Sequence, residues 1–255
     1  KTKVPLILFQ HNMEAMIWKR LAESSSNPIK RFYLNNQFQR FSKWERKLSQ
    51  LFDGIVTVSD DDSRYARDHY HLKNVRGHVP TGVDVAYFAP RKEILADEGV
   101  IGFLGSMDWL ANIQAVDYFV REIYPRIKSG FPNVHFVVIG RNPPRSILDL
   151  ANTDSSITVT GSVEDVSPHL KACDLMVVPL LTGGGTRIKI LEAMAMGVPT
   201  ISTTIGAEGL ELKSGIHIEI ADHPDEFADI TIELLSDKKR RQALADTAYE
   251  RLVRE

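Results

Sequence analysis

The sequence predicts an α/β protein made of two doubly wound domains with parallel sheets. Short β-branched runs alternate with segments of helical period along the whole chain, the pattern of strands joined by crossover helices. The alternation is interrupted once, by a turn-rich, charged stretch. The longest apolar run, Leu175 to Leu181, is broken by Pro179 and is far shorter than the ~20 residues of a membrane-spanning helix, so it reads as a buried strand.

In order along the chain, Pro5 to Phe9, Ile55 to Val58 and Val75 to Val79 read as strands, with helices near Met13 to Ala22, Ile29 to Leu51 and Asp61 to Tyr70. The chain opens at Lys1 directly ahead of a strand and ends in an uncapped helical run, Leu252 to Glu255, so a fragment with an incomplete first domain is expected. Pro80-Thr81-Gly82-Val83-Asp84, Phe88-Ala89-Pro90 and the charged run Arg91 to Glu98 read as a linker, which places the first domain at 1–90 and the second at 91–255. The second series supplies strands at Val100 to Leu104, Val134 to Ile139, Ile157 to Val159, Leu175 to Val178, Pro199 to Ser202 and Ile216 to Ile220. Ligands of such sheets bind at the carboxyl ends of the strands.

With 43% apolar and 25% charged residues and a formal net charge of −2, the 255-residue chain has an ordinary globular composition. It lacks the basic balance that a nucleic-acid partner would select. Cys173 is the sole cysteine, so an intramolecular disulfide and a cysteine-based zinc cluster are excluded and a reducing cytoplasm is the expected compartment. Asp60-Asp61-Asp62 follows a strand and opens a helix, where acidic residues cap free N–H groups; no catalytic metal is expected there.

The segment Asp174 to Leu210 carries the chemistry. A buried strand is followed by Gly183-Gly184-Gly185 and by a helix containing Thr186, Arg187, Lys189 and Glu192. Strand, glycine turn and helix point backbone N–H groups at an anion, and the glycines allow close approach. Cations at the positive end of a helix cost up to ~1 kcal/mol each when unpaired, which suits a bound anion. Lys189 and Glu192 share a helical face, while Ile188, Leu191 and Ala195 form an apolar stripe. On spacing alone, a tight turn followed by a solvated Lys189–Glu192 pair explains the pattern equally well. It is neither a P-loop nor a dinucleotide fingerprint.

The run Gly183-Gly184-Gly185-Thr186-Arg187-Ile188-Lys189-Ile190-Leu191-Glu192-Ala193-Met194-Ala195-Met196-Gly197-Val198-Pro199, continuing to Gly206-Ala207-Glu208-Gly209-Leu210, resembles the signature of glycosyltransferase family 4, the retaining group 1 type. Further matches are Phe103-Leu104-Gly105-Ser106-Met107 with Trp109 and Asn112, Val138-Ile139-Gly140-Arg141, Val159-Thr160-Gly161-Ser162-Val163, and Thr81-Gly82-Val83-Asp84. The resemblance implies a GT-B fold with two Rossmann-like domains. It also implies transfer of a sugar from a UDP- or GDP-sugar to a glycan or lipid-linked acceptor, with the donor as substrate and no further cofactor. Glu192 resembles the second glutamate of the family's E-x7-E pair, which bonds the donor ribose; Gly184 stands at the first. Gly105-Ser106-Met107 replaces the usual diphosphate-gripping arginine and lysine, a departure resembling a subgroup with a G-G-G-T-R-I-K form in which Arg187 and Lys189 supply the charge. Gly161-Ser162-Val163 resembles the turn that meets the base, Gly105-Ser106 the loop that faces the diphosphate, and His11 the acceptor-side histidine that faces the donor sugar. The predicted catalytic residues are therefore His11, Arg187 and Lys189. Gly105, Ser106, Arg141, Gly161, Ser162, Val163, Gly183, Gly184, Gly185, Thr186 and Glu192 are the predicted donor-binding set.

Read without the family, His11 is an ordinary polar loop residue, and Arg141 before Pro143-Pro144 fits a surface turn as well as a cleft. On the helix at 29–52, Leu34, Phe38, Phe41, Leu48 and Leu51 form an apolar stripe among Lys30, Arg31, Arg40, Lys43, Arg46 and Lys47. Core packing is the simpler explanation, and peripheral docking on the inner face of a membrane the alternative. A noncatalytic nucleotide-sugar-binding or scaffold protein and a nucleotide-sugar epimerase are the rival functions, since fold does not fix function.

Overall fold

A computed structural model describes residues 4–90, 99–183 and 187–254. They form two compact units: the first from the described residues of 1–82, 182–187 and 208–210, the second from those of 83–181, 188–207 and 211–255.

The first unit has a parallel sheet of β1 (Ile7–Gln10), β2 (Gly54–Thr57) and β3 (Val75–His78) in that order. Its core packs Met13, Ile55, Ala66, Tyr70 and Leu72, with Leu8, Met16, Tyr65 and Val75 against them. Helix Pro28–Ser49 begins correctly for its sequence, because Asn27 accepts from the N–H groups of Ile29 and Lys30 and Pro28 occupies the first turn, where no donor is needed. It buries Leu34, Glu45 and Ser49, and Phe41 stacks on Trp18 of helix Glu14–Glu23 at 5.3 Å. The expected apolar stripe fails at Leu51, which lies beyond the helix and is 71% exposed. The buried line passes instead through Glu45, whose carboxylate is saturated by donors.

Helix Asp60–Asp68 is capped by Ser59, which accepts from Asp62 N at 3.1 Å, and not by the aspartates themselves. Asp60 and Asp61 pair with Arg64. Among the described residues no group of three or more His, Cys, Asp or Glu side chains is disposed to hold a metal ion.

The second unit contains β4 (Val100–Leu104), β5 (His135–Ile139), β6 (Ile157–Gly161), β7 (Leu175–Val178), β8 (Thr200–Ser202) and β9 (Glu219–Ile220). They pair in parallel in the order β6-β5-β4-β7-β8-β9, the doubly wound order whose direction reverses between the first and fourth strands. Runs rich in Val and Ile suit strands covered on both faces, and β7 is buried at every position. The last strand is shorter than the expected 216–220. Gly215 adopts φ +77° and the N–H groups of Ile216 and His217 both bond Lys213 O, so a turn takes the residues that alternation assigned to a strand.

Phe103, Phe119, Phe136, Tyr124 and Phe227 fill the core, with Phe119 and Phe136 centred 4.7 Å apart. Arg241 is buried completely; Nη1 donates to Leu234 O and Leu235 O at 2.6 Å and Nη2 reaches Asp174 Oδ1 at 3.4 Å. It thereby satisfies the carbonyls at the end of helix Pro224–Ser236. The other Asp174 oxygen accepts from Val100 N at 2.9 Å, tying the start of β4.

Candidate functional site

In the second unit the carboxyl ends of β4 and β5 are joined by backbone. Gly105 N donates to Ile139 O and Met107 N to Arg141 O, both at 3.0 Å. A Cβ on Gly140 would stand 1.9 Å from Gly105 O, so only glycine lets these two turns approach this closely. The turn at Gly105 and Ser106 therefore sits at the strand whose two neighbours, β5 and β7, lead to opposite halves of the sheet. That reversal is where a doubly wound sheet opens a crevice.

Lys189 enters this turn from helix Ile188–Ala195. Its Nζ donates to Asn112 Oδ1 at 2.8 Å and lies 4.7 Å from the centre of the Phe103 ring. A Cβ on Gly105 would be 2.8 Å from both Lys189 Nζ and Asn112 Nδ2, which puts the ammonium over the glycine backbone. Asn112 Nδ2 donates to Ser106 O at 2.7 Å, so one amide holds the cation and the turn together. Burial pushes the Glu192 carboxyl above its ordinary range, and the nearby Lys189 charge opposes that shift.

Ile188 is 44% exposed, whereas Ile190, Leu191, Ala193, Met194 and Ala195 are buried. The expected stripe through Ile188 is thus replaced by one that starts a turn later, because the helix begins only at Ile188. Lys189 and Glu192 lie on its less buried side.

Arg141 Nε is held by Ser106 Oγ at 3.1 Å and Asp108 Oδ2 at 3.0 Å. Hydrogen bonds from Ser106 and Asn142, with the Arg141 charge, keep the Asp108 carboxyl below its usual range. Gly161 closes β6 with φ +69° and open space beside its Cα, and the exposed Ser162 and half-buried Val163 follow. Gly105, Ser106, Arg141, Gly161, Ser162, Val163, Lys189 and Glu192 thus belong to one unit, most of them at strand ends of one sheet.

His11, Gly183 and Arg187 belong to the first unit. His11 directly follows β1, is exposed, and meets Phe9 edge-on at 5.0 Å. Arg187 is buried, with a side chain 7% exposed and Glu208 Oε2 3.9 Å from Nη2. Desolvation lowers its pKa to about 10, with Glu208 opposing the fall and the like charge of Arg20 adding to it. Spacing alone makes Arg187 an unbalanced cation in the first helical turn. The structure corrects this: Arg187 precedes the helix and Glu208 supplies a counter-charge. Gly184, Gly185 and Thr186 lie outside the described residues.

Asn112 is not among the site residues that the sequence predicts, and neither is Arg20, which donates to Glu208. Asn112 stood among the family-like residues without a role, and Arg20 looks like any basic residue in a last helical turn.

A family model described as Glycosyl transferases group 1 matches residues 98–237, more than half of the chain. A GDP-mannose-dependent monoacylated α-(1-6)-phosphatidylinositol monomannoside mannosyltransferase of Corynebacterium glutamicum is 29% identical over 219 residues, covering 78% of this chain and 57% of the relative. The chain thus spans little more than half the length of that protein. Sucrose-phosphate synthase of Thermosynechococcus elongatus superposes with a TM-score of 0.73 at 17% identity, over 100% of this chain and 64% of the other. HepE of Anabaena, crystallised with UDP and glucose, does so with a TM-score of 0.72 at 15% identity, over 98% and 67%. The likeness is one of fold: α/β with parallel sheets, as in GT-B glycosyltransferases.

Proposed function

This chain belongs to the group 1 glycosyl transferases, and from that premise we propose that it is the greater part of an enzyme moving a sugar from a nucleoside diphosphate donor to a glycan or lipid-linked acceptor, with retention at the anomeric carbon. The observation that carries the donor reading is the Lys189 ammonium fixed over the Gly105 turn, at the strand end where the sheet order reverses. A diphosphate seated on that turn receives the lysine charge and the N-terminal field of helix Ile188–Ala195. Glu192 takes the ribose hydroxyls, Gly161, Ser162 and Val163 meet the base through backbone groups, and Ser106 and Arg141 line the donor side. By the family resemblance, Gly183, Gly184, Gly185 and Thr186 complete the donor-binding set, Arg187 supplies positive charge, and His11 is the acceptor-side histidine.

The chemical task is to stabilise negative charge on the departing diphosphate as the anomeric bond breaks. Lysine, arginine and helix N–H groups do this without a metal ion. Bisubstrate chemistry of this kind also fits the name of the Corynebacterium relative, which uses GDP-mannose and acts on a phosphatidylinositol mannoside. For a lipid-linked acceptor, helix Pro28–Ser49 offers a peripheral docking face. Ile29, Phe32, Tyr33 and Trp44 are exposed beside Arg40, Lys43 and Lys47, aromatic and basic groups suited to an anionic lipid surface.

The test is calorimetric titration with UDP and GDP, with and without magnesium, repeated on Glu192→Ala. Metal-independent binding of one nucleotide, weakened by the substitution, is expected. Absence of binding to either nucleotide by the complete protein overturns the donor reading. Donor consumed to an epimer without acceptor points to the rival chemistry.

A further inference from the structure

Arg141 follows the end of β5, and its side chain is 65% exposed, yet one edge of its guanidinium is tied down. Nε donates to Ser106 Oγ at 3.1 Å and lies 3.0 Å from Asp108 Oδ2. Ser106 Oγ donates to the same Asp108 oxygen at 2.8 Å, and Asn142 Nδ2 donates to Asp108 Oδ1 at 3.0 Å. Asn142 does so from a left-handed backbone, φ +54°, which asparagine tolerates better than most residues. Asp108 is therefore the point at which side chains lace the turn after β4 to the turn after β5, all within the second unit.

The guanidinium is used on one side only. Among the described residues neither Nη1 nor Nη2 has a hydrogen-bond partner, so the end-on edge of the fork is open. That edge carries two parallel N–H donors, the spacing that suits two oxygens of one phosphate. An ion pair this exposed contributes little to stability, and a long side chain in solvent is ordinarily spread over many rotamers. Here the main chain of Arg141 accepts from Met107 N at 3.0 Å and its Nε is held by Ser106 and Asp108, so both ends of the side chain are placed by residues next to Gly105. Asp108 takes neutral donors on both oxygens, which anchors it in the two turns independently of Arg141. Freedom removed before a ligand arrives reappears as affinity.

We propose that Asp108 is a positioning residue for the donor: it holds Arg141 by Nε so that the Nη1 and Nη2 edge is presented to a phosphate of the nucleoside diphosphate on the Gly105 turn. This rests on the donor reading above and gives a role to an acidic residue at a site for an anion, where charge alone argues against one. The sign of its effect separates the two. As a bare charge Asp108 repels the diphosphate and its loss tightens binding, whereas as the holder of Arg141 its loss weakens binding.

The experiment is calorimetric titration of the complete protein with UDP and GDP, on the unmodified chain, Asp108→Ala, Asp108→Asn, Arg141→Ala and the double variant Asp108→Ala with Arg141→Ala, each checked by thermal melting. Asp108→Ala weakens the diphosphate about three- to tenfold, the scale of ordering one long side chain on binding. Asp108→Asn, which keeps an acceptor oxygen for Nε, restores the affinity to within about twofold. In the Arg141→Ala background Asp108→Ala no longer weakens binding, because the residue through which it acts is gone. A merely structural role gives the same loss in both backgrounds. If Asp108→Ala does not fold, Asp108→Ser, too short to hold Nε, takes its place with the same expectations. When the unmodified protein binds a nucleotide, any of three results overturns this proposal alone: unchanged or tighter binding by Asp108→Ala, an equal loss in both backgrounds, or no recovery in Asp108→Asn. When the unmodified protein binds neither nucleotide, the donor reading falls and this proposal with it.

Discussion

Lys189 and Asn112, 77 residues apart in the chain, meet through a 2.8 Å hydrogen bond from Nζ to Oδ1. The same amide donates through Nδ2 to Ser106 O, so the position of the ammonium and the shape of the Gly105 turn are set by one side chain. A cation fixed in this way loses little freedom when an anion arrives, which is the condition for electrostatic stabilisation without reorganisation.

Lys189→Met in the complete enzyme is expected to lower kcat about 10²- to 10³-fold, the scale of removing one preorganised donor from an oxyanion site. Asn112→Ala, which leaves the charge but frees its position, should lose about tenfold, rising in KM for the donor as well as falling in kcat. Steady-state kinetics on both variants check this. A loss below threefold for Lys189→Met removes the lysine from the chemistry.

Gly105→Ala and Gly140→Ala should behave oppositely. The first Cβ meets the ends of two side chains, Asn112 and Lys189, which can move. Stability should change by less than about 1 kcal/mol while nucleotide affinity falls, because the ammonium is displaced. The second Cβ meets backbone at 1.9 Å, and parting two sheet-end turns should cost about 3 kcal/mol or more. Denaturant unfolding paired with UDP and GDP titration separates the two outcomes.

Glu45 organises the loop that carries His11. Its Oε1 accepts from Gln10 Nε2 and Glu14 N, both at 2.9 Å, and its Oε2 from Tyr70 Oη at 2.6 Å and Ala15 N at 3.4 Å. Met13, the N-cap residue of helix Glu14–Glu23, makes no side-chain cap, so Glu45 supplies it from another helix. Glu45→Ala should destabilise the fold by about 2–4 kcal/mol through orphaned donors. Burial holds the Glu45 carboxyl above its ordinary range. The folded chain therefore retains this proton at pH values where the unfolded chain has lost it, and the contribution is full below the unfolded pKa and fades as pH rises through the folded one. Relative to Glu45→Gln, the unmodified protein should gain stability as pH is lowered from 7 toward the ordinary glutamate range. A difference that stays flat across that interval contradicts the shift.

Trp44 and Phe32 are 59% and 74% exposed on helix Pro28–Ser49. Flotation with vesicles containing anionic lipid should carry the complete protein at low salt and release it as salt rises. Lys43→Glu with Lys47→Glu should abolish flotation without altering the melting temperature by more than a few degrees. Absence of flotation at low salt removes the docking face.

The sheet of the second unit was legible because its strands are buried on both faces, and continuous runs such as Leu175 to Val178 have few other readings. The shared face of Lys189 and Glu192 was legible from local spacing. Contacts between distant segments were not. Arg20 reaches Gly183 across 163 residues, and its place in a last helical turn already has a local explanation in the helix dipole. Glu45 interrupts an apolar stripe and reads as an exposed position, because the donors that pay for its burial lie in other elements. Exposed Ile188 and Leu51 show the opposite error: apolar residues just at or past a helix end follow the pattern in sequence but no longer share its face.

The buried Arg241 bears on how the second unit is made as the chain emerges from the ribosome. The start of β4 is fastened to Asp174, 74 residues later, and that carboxylate in turn meets a guanidinium another 67 residues on. During synthesis β4 is the first of the described strands of its sheet to appear, yet the charge that completes its fastening comes only after β9. Fastening of β4 through Asp174 and Arg241 is thus a long-range event, which cannot precede synthesis of helix Lys238–Arg254, and closure over such separations is slow.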